Sequence, residues 1–347
     1  MQYLHFLAFL GVVSTVSAVI TDGTWEELAE IPLYPRQEDT GVVLNETTFA
    51  ILGGVIPYSP QNLTVGNTTS IMQFYDVPSN TWTLGPNIPL PRNHVNAVGY
   101  KNRAYIVGAL QALNNSYWAG DGASYEWDPQ TNTWANLTSL PAGTERGAAL
   151  TVAHEDVIWV VGGVVSLIPG PGNPHHTVAN VSAYNLTSRA WVDLPAAAAN
   201  LPEPRDHATG GIAGGRLWLA GGRINGQVNM RGTVYSLDLA DWEAGWTTHD
   251  SDSDMPTPRG GAMFAMVDGL LWTLGGERNV SSPTGIFDQI EVFNTSDGTW
   301  TSLSPMKVPR HGFIPAYIDG ALYLPGGATH QGEFPTTYHD RYILPSL

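Results

Sequence analysis

The sequence predicts an all-β chain folded as a six-bladed propeller, on three observations. A unit recurs six times: an Arg at its head (Arg36, Arg92, Arg146, Arg205, Arg259, Arg310), two short apolar runs, and a glycine step at its close (Gly53-Gly54, Gly108-Ala109, Gly162-Gly163, Gly221-Gly222, Gly275-Gly276, Gly326-Gly327). The interval from Arg to the first of those residues is 17 in the first copy and 16 in the other five. The period averages about 55 residues, the length of a four-stranded blade.

The elements of the unit follow in order. Residues 261–267 and 270–274 are apolar runs joined by Asp268-Gly269, which is the signature of a β-hairpin, and Asp319-Gly320 repeats it in the sixth copy. A third run follows each glycine step after a variable loop. A fourth ends near Trp82, Trp134, Trp191, Trp246 or Trp300. In four copies an aromatic stands seven residues before that Trp (Tyr75, Trp127, Tyr184, Phe293), a spacing that suits a tight turn; Tyr235 to Trp246 stretches it. At the start, residues 24–28 look like a fourth strand with its Trp25 but without the first three. The sixth copy supplies three strands, the last near residues 338–344, and stops. The two ends therefore complete one blade and close the ring, which removes an open sheet edge. The prediction is one domain over residues 19–347.

Arg, double glycine, Tyr and Trp in this order resemble the Kelch repeat, and the resemblance covers nearly the whole chain after residue 18. It implies a propeller whose variable loops share one face with the turns that present the Arg. Those loops are longest in the first three blades: residues 55–70, 110–122 and 164–179. Loops on a rigid scaffold carry specificity, so that face is expected to hold the site.

Residues 1–18 have an apolar core at 6–13 and end in Val16-Ser17-Ala18, which reads as a secretory signal peptide. Nine sequons agree with a secreted glycoprotein: Asn45, Asn62, Asn67, Asn114, Asn136, Asn180, Asn185, Asn279 and Asn294. No later stretch is long enough to span a membrane. The chain has no Cys, so cross-links cannot stabilise it and no thiol can act as nucleophile. Among proteins the repeat resembles, a Tyr-Cys copper oxidase is excluded for the same reason. A net charge of −16 disfavours nucleic acid and anionic membranes.

The candidate site residues are the six Arg with His94, His207 and His311, which follow their Arg by one or two positions. Two readings stand for the Arg ring: struts bonded to carbonyls and to nearby acids such as Glu38, Asp39, Glu145, Glu203 and Asp206, or forks that bind a ligand's oxygen at the mouth. The imidazoles suit hydrogen bonding or proton transfer, and no metal or other cofactor is expected, because no ligand spacing accompanies them. His175-His176 lies in a Pro/Gly loop and is expected to be a solvated pair. Tyr58, Trp118, Phe287 and Phe334, with His330, occupy the variable loops as lids or as pocket walls. As walls they suit a small molecule with an oxygenated head and an apolar body.

In whole-chain plan the sequence resembles a set of fungal secreted proteins, the intermolecular hetero-Diels-Alderases of tropolonic sesquiterpene biosynthesis. The resemblance implies cofactor-free joining of a tropolone-type quinone methide to a humulene-like olefin, and carries no catalytic residue across. The alternative is a secreted, non-catalytic module that binds glycan or cell-wall ligands. The residues themselves leave enzyme and binding module open.

Overall fold

The computed structural model describes residues 20–345 apart from 60–61, 115–116, 171 and 333. The predicted signal peptide lies outside the described residues, as do the side chains of Asn62 and Asn114. Among the described residues the only helices are two short 3-10 turns, and no helix is long and apolar enough to cross a membrane.

Six antiparallel four-stranded blades surround a central channel. Blade 1 is Asp39–Asn45, Thr48–Leu52, Met72–Asp76 and Thr81–Leu84, and the later blades repeat its order. In blade 6 the strands Ala316–Ile318, Ala321–Pro325 and His339–Ile343 are completed by Thr24–Glu27 from the other end of the chain. Trp25 lies opposite Tyr342 there, with ring centroids 4.7 Å apart. The same cross-strand pair recurs as Tyr75–Trp82, Trp127–Trp134, Tyr184–Trp191 and Phe293–Trp300, which is the physical content of the seven-residue spacing. Blade 4 departs because the turn Trp242–Ala244 is inserted, so Trp246 faces Leu237 instead. Its indole N–H still reaches back to the preceding blade, at Ala198 O, as Trp82 does to Ala29 O and Trp300 to Ser253 O.

The glycine step is where neighbouring blades touch. Gly53 has φ 61°, and a Cβ there would lie 2.5 Å from the carbonyl oxygen of Arg92 in the next blade. Gly54 N–H donates to that same oxygen at 2.7 Å, and Gly327 closes the circle on Arg36 O at 2.8 Å. Only glycine permits both the conformation and the approach.

Two residues beyond each Arg the backbone turns left-handed: Glu38, His94, Ala148, His207, Gly261 and Gly312 all have φ between 48° and 75°. Each donates its N–H to the carbonyl of the one before, His94 to Glu38 (3.0 Å), Ala148 to His94, His207 to Ala148, Gly261 to His207 and Gly312 to Gly261 (3.1 Å each), and Glu38 to Gly312. These six residues form a closed hydrogen-bonded collar around the channel.

The variable segments of the first three blades, expected as loops, are built as strands. Residues 55–68 form a hairpin, and Arg103–Asn114 and Tyr117–Asp128 run on past their blade as two long arms. One arm pairs with Val164–Leu167, which follows the glycine step of blade 3, Trp118 opposite Leu167, so that segment joins the sheet of blade 2 while the four strands of blade 3 form their own. Backbone left unpaired so close to the channel would be costly, and pairing across blades satisfies it.

Candidate functional site

The six repeated Arg do not face the channel. All are at most 1 % exposed and point into their blades. Arg146 donates to the carbonyls of Gly162 (2.7 Å), Thr144 and Val160, and to Ser182 Oγ. Arg259 and Arg310 add carboxylates, Glu291 and Asp340, while Arg205 takes Glu203, Arg92 takes Asp121 and Arg36 takes Gln73. Of the two readings of the ring, the strut describes these placements. Burial pulls Arg36 and Arg146 down to about 10, which leaves both charged at neutral pH.

Gln37, Asn93, Gly147, Asp206, Gly260 and His311, each next to its Arg, bridge to Val55, Leu110, Val164, Arg223, Glu277 and Ala328, each next to its glycine step. In blades 4 and 5 the second set turns from apolar to charged. Arg223 and Glu277 are the functional candidates that the sequence reading missed, and this break in a repeated apolar position is the signal that could have found them.

Arg223 is 2 % exposed and ties the floor together. It donates from Nε to Asp206 Oδ1 (3.0 Å), from one terminal nitrogen to Glu277 Oε1 (2.5 Å) and from the other to His207 Nε2 (3.1 Å). Asp206 also accepts from His207 Nδ1 (2.5 Å) and from the Thr177 hydroxyl, and Glu277 accepts from Gln227 Nε2 (2.9 Å). Burial works to raise both carboxyls, but the surrounding donors prevail: His311 and Arg223 hold Glu277 down to about 2, and His175, His207 and Arg223 hold Asp206 well below the usual range. Burial first, then the Arg223 charge, pulls His207 down to about 4. His311, which burial also pulls down, donates Nε2–H to His330 O (3.1 Å), and its buried Nδ1 has no hydrogen-bond partner among the described residues.

Arg223, Glu277 and His311 face a narrow cleft above the collar, lined on its polar side also by Gln37, Glu38 and His94. The opposite wall is Trp118, Leu167, Ile168 and Pro169. Below lies a channel that Glu38, His94 and His207 line, with Phe264 and Phe313. Glu38, expected to pair with an Arg, instead places Oε2 3.2 Å from His94 Nε2, and His94 Nδ1 lies 2.7 Å from Asn93 Oδ1. Glu38, His94 and His207 are the described residues whose donor atoms converge closely enough, within 4.8 Å, to hold a metal ion.

Of the other expected site residues, Trp118 is buried against His94, ring centroids 5.5 Å apart, and forms the cleft wall. Tyr58 is 43 % exposed, and His330 packs against Phe334 with the rings tilted, centroids 4.7 Å apart. Tyr58, Phe287, His330 and Phe334 line neither cavity. His175, expected to be solvated, is buried in the cleft 3.8 Å from Asp206, because its strand pairs with residues 164–167; His176 is exposed. Asn45, Asn67 and Asn136 are exposed, and Asn180, Asn185, Asn279 and Asn294 are half-buried.

A family model, the KLHDC2/KLHL20/DRC7 Kelch-repeats domain, matches residues 167–327. Kelch-like protein terF of Aspergillus terreus is 33 % identical over 314 residues, covering 89 % of this chain and 66 % of that protein. Alpha-scruin and beta-scruin of Limulus polyphemus are 21 % and 24 % identical over 90 % and 83 % of the chain, which spans about a third of each (33 % and 31 %).

Proposed function

The chain belongs to the Kelch-repeat family, and on that premise we propose that it is a hetero-Diels-Alderase that joins a tropolone-type quinone methide to a humulene-like olefin. Its secretion through the predicted leader belongs to the same proposal. The observation that carries the reading is the cleft above the collar, which sets an apolar wall against a buried polar floor. A heterodiene with a carbonyl and an apolar olefin need those two surfaces, held a few ångströms apart.

Arg223 keeps N–H hydrogens on its terminal nitrogens beyond those given to Glu277 and His207. A donor of this kind, fixed before the substrate arrives, draws density from the carbonyl as the new C–O bond forms and stabilises the charge that builds on oxygen. Trp118 and Leu167, locked by their cross-strand pairing, hold the olefin against the heterodiene. Positioning of this type needs no nucleophile.

The test is cycloadduct formation from a quinone-methide precursor and humulene, read as rate and as product stereochemistry. Trp118→Ala is expected to slow it about 10- to 100-fold, the cost of losing about 1.5–3 kcal/mol of apolar contact. Arg223→Lys keeps the charge beside Asp206 and Glu277 but loses the fork, and roughly a 30- to 1000-fold loss is expected. Equal rate and stereochemistry with and without the protein would overturn the reading.

A further inference from the structure

The collar does more than narrow the channel. Its side chains run Glu38, His94, Ala148, His207, Gly261, Gly312, so two imidazoles and one carboxylate stand over a half-circle whose other members are nearly bare. The outward nitrogen of each imidazole is taken: His207 Nδ1 faces Asp206 Oδ1 at 2.5 Å, and His94 Nδ1 faces Asn93 Oδ1 at 2.7 Å. Both partners are oxygen acceptors, so hydrogen sits on Nδ1 and each Nε2 offers a lone pair to the channel. Carboxylate or amide behind, bare nitrogen in front, is how metal-binding histidines are oriented.

His94 Nε2 lies 3.2 Å from Glu38 Oε2, two acceptors face to face, and such a contact needs a cation or a proton between them.

We propose that Glu38, His94 and His207 bind one divalent transition metal ion, of the zinc class, in the collar. Two nitrogens and one carboxylate oxygen suit Zn²⁺ or a late first-row divalent ion better than Mg²⁺ or Ca²⁺, which prefer oxygen. Three protein ligands leave a further coordination position. Glu38 and His94 line the cleft above, so that position opens toward it and would accept an oxygen of a small molecule. The left-handed backbone at all three ligands, φ 54°, 48° and 52°, is held by the collar's own hydrogen bonds, so the donors are arranged before the ion arrives. The contact that the ion must displace is Arg223 to His207 Nε2, 3.1 Å. A guanidinium that remains close makes the site weaker than the same ligands would be alone, and removing its charge should tighten it.

This site stands whether or not cycloaddition is the activity, because its test needs no substrate. The intact protein is freed of metal with a chelator, and Zn²⁺, Co²⁺, Mg²⁺ and Ca²⁺ are titrated in separately by calorimetry. One equivalent of Zn²⁺ or Co²⁺ should bind, with no saturation by Mg²⁺ or Ca²⁺ in the same range, and Co²⁺ should give the intense visible bands of a four-coordinate ion. Glu38→Gln and His207→Gln should each weaken Zn²⁺ by about 100-fold or more, Asp206→Asn, behind His207, by about 10- to 100-fold, and Arg223→Gln should bind it more tightly. Absence of saturable Zn²⁺ or Co²⁺ binding to the wild-type protein overturns the proposal and leaves a proton between Glu38 and His94. Undiminished affinity in the folded ligand variants also overturns it. Should those variants fail to fold, the wild-type cobalt spectrum still decides, since surface binding at His176 or His330 would give only weak six-coordinate bands.

Discussion

Each of the six Arg is a strut because its fork matches what a blade end offers. The carbonyls of the inner strand end and of the glycine step lie close together, and a planar guanidinium can take several of them at once, Val160 O and Gly162 O for Arg146, Leu324 O and Gly326 O for Arg310. The consequence is a stability role, which can be separated from chemistry. Arg146→Met leaves buried carbonyls unmet, and the cost is about 1–3 kcal/mol for the first of them. Arg259→Met also strands the Glu291 carboxylate, 2 % exposed, and should cost more, about 3–5 kcal/mol. Urea melts rank the two, and the surviving folded fraction should keep wild-type turnover in the cycloaddition assay. A variant that melts like wild type but loses turnover would return that Arg to the mechanism.

At the scale of the blade, the contact between the last and the first is built on His339. The imidazole stands edge-on to Tyr75 (4.6 Å) and close to Phe49 and Trp82 of blade 1, and it reaches Ala29 O at 3.1 Å. Burial pulls it down from 6.5 to about 3. The folded value is below the unfolded one, so the neutral ring contributes stability in full above about pH 6.5, and this is lost as pH falls toward 3. The slope is about 1.4 kcal/mol per pH unit across that window. His339→Gln has nothing to titrate, so urea midpoints of the wild type should approach and then fall below those of the variant between pH 6.5 and 4. Parallel pH profiles for the two proteins would refute the assignment.

The whole molecule is a ring whose closure depends on thirteen residues at one end of the described chain. Thr24–Glu27 pairs with His339–Ile343, the Tyr342 hydroxyl accepts from Gly23 N–H at 2.6 Å, and Asp22 caps Ser304 of blade 5. Deleting residues 20–32 opens a sheet edge and exposes Tyr342. The loss is expected to be of the order of a domain's net stability, about 5–15 kcal/mol, because blade 6 loses its outer strand and its grip on blade 1 together. Soluble yield and a calorimetric melt check this; an unchanged single transition would mean that five blades and a three-stranded sixth are sufficient.

The sequence by itself determined the architecture of this protein. Arg, glycine step, aromatic and Trp are local and repeated, and each copy reports the same contact: the glycines mark where blades touch, and Tyr–Trp spacing marks a cross-strand pair. Even the closure was legible, since Trp25 arrives without its blade and finds Tyr342. The candidate site was legible only in part. His94, His207, His311 and Trp118 were visible because they break the repeat in type, but the six Arg drew attention through repetition, which here signals a shared structural need. Tertiary structure alone decided that Asp206, Arg223 and Glu277 form one network, because 54 residues separate Arg223 from Glu277 and only the ring brings adjacent blades together. It likewise decided that Glu38 meets His94. Their side chains converge because left-handed turns in successive blades point them at one axis, and an axis shared by six blades is a property of the closed ring that no single repeat contains.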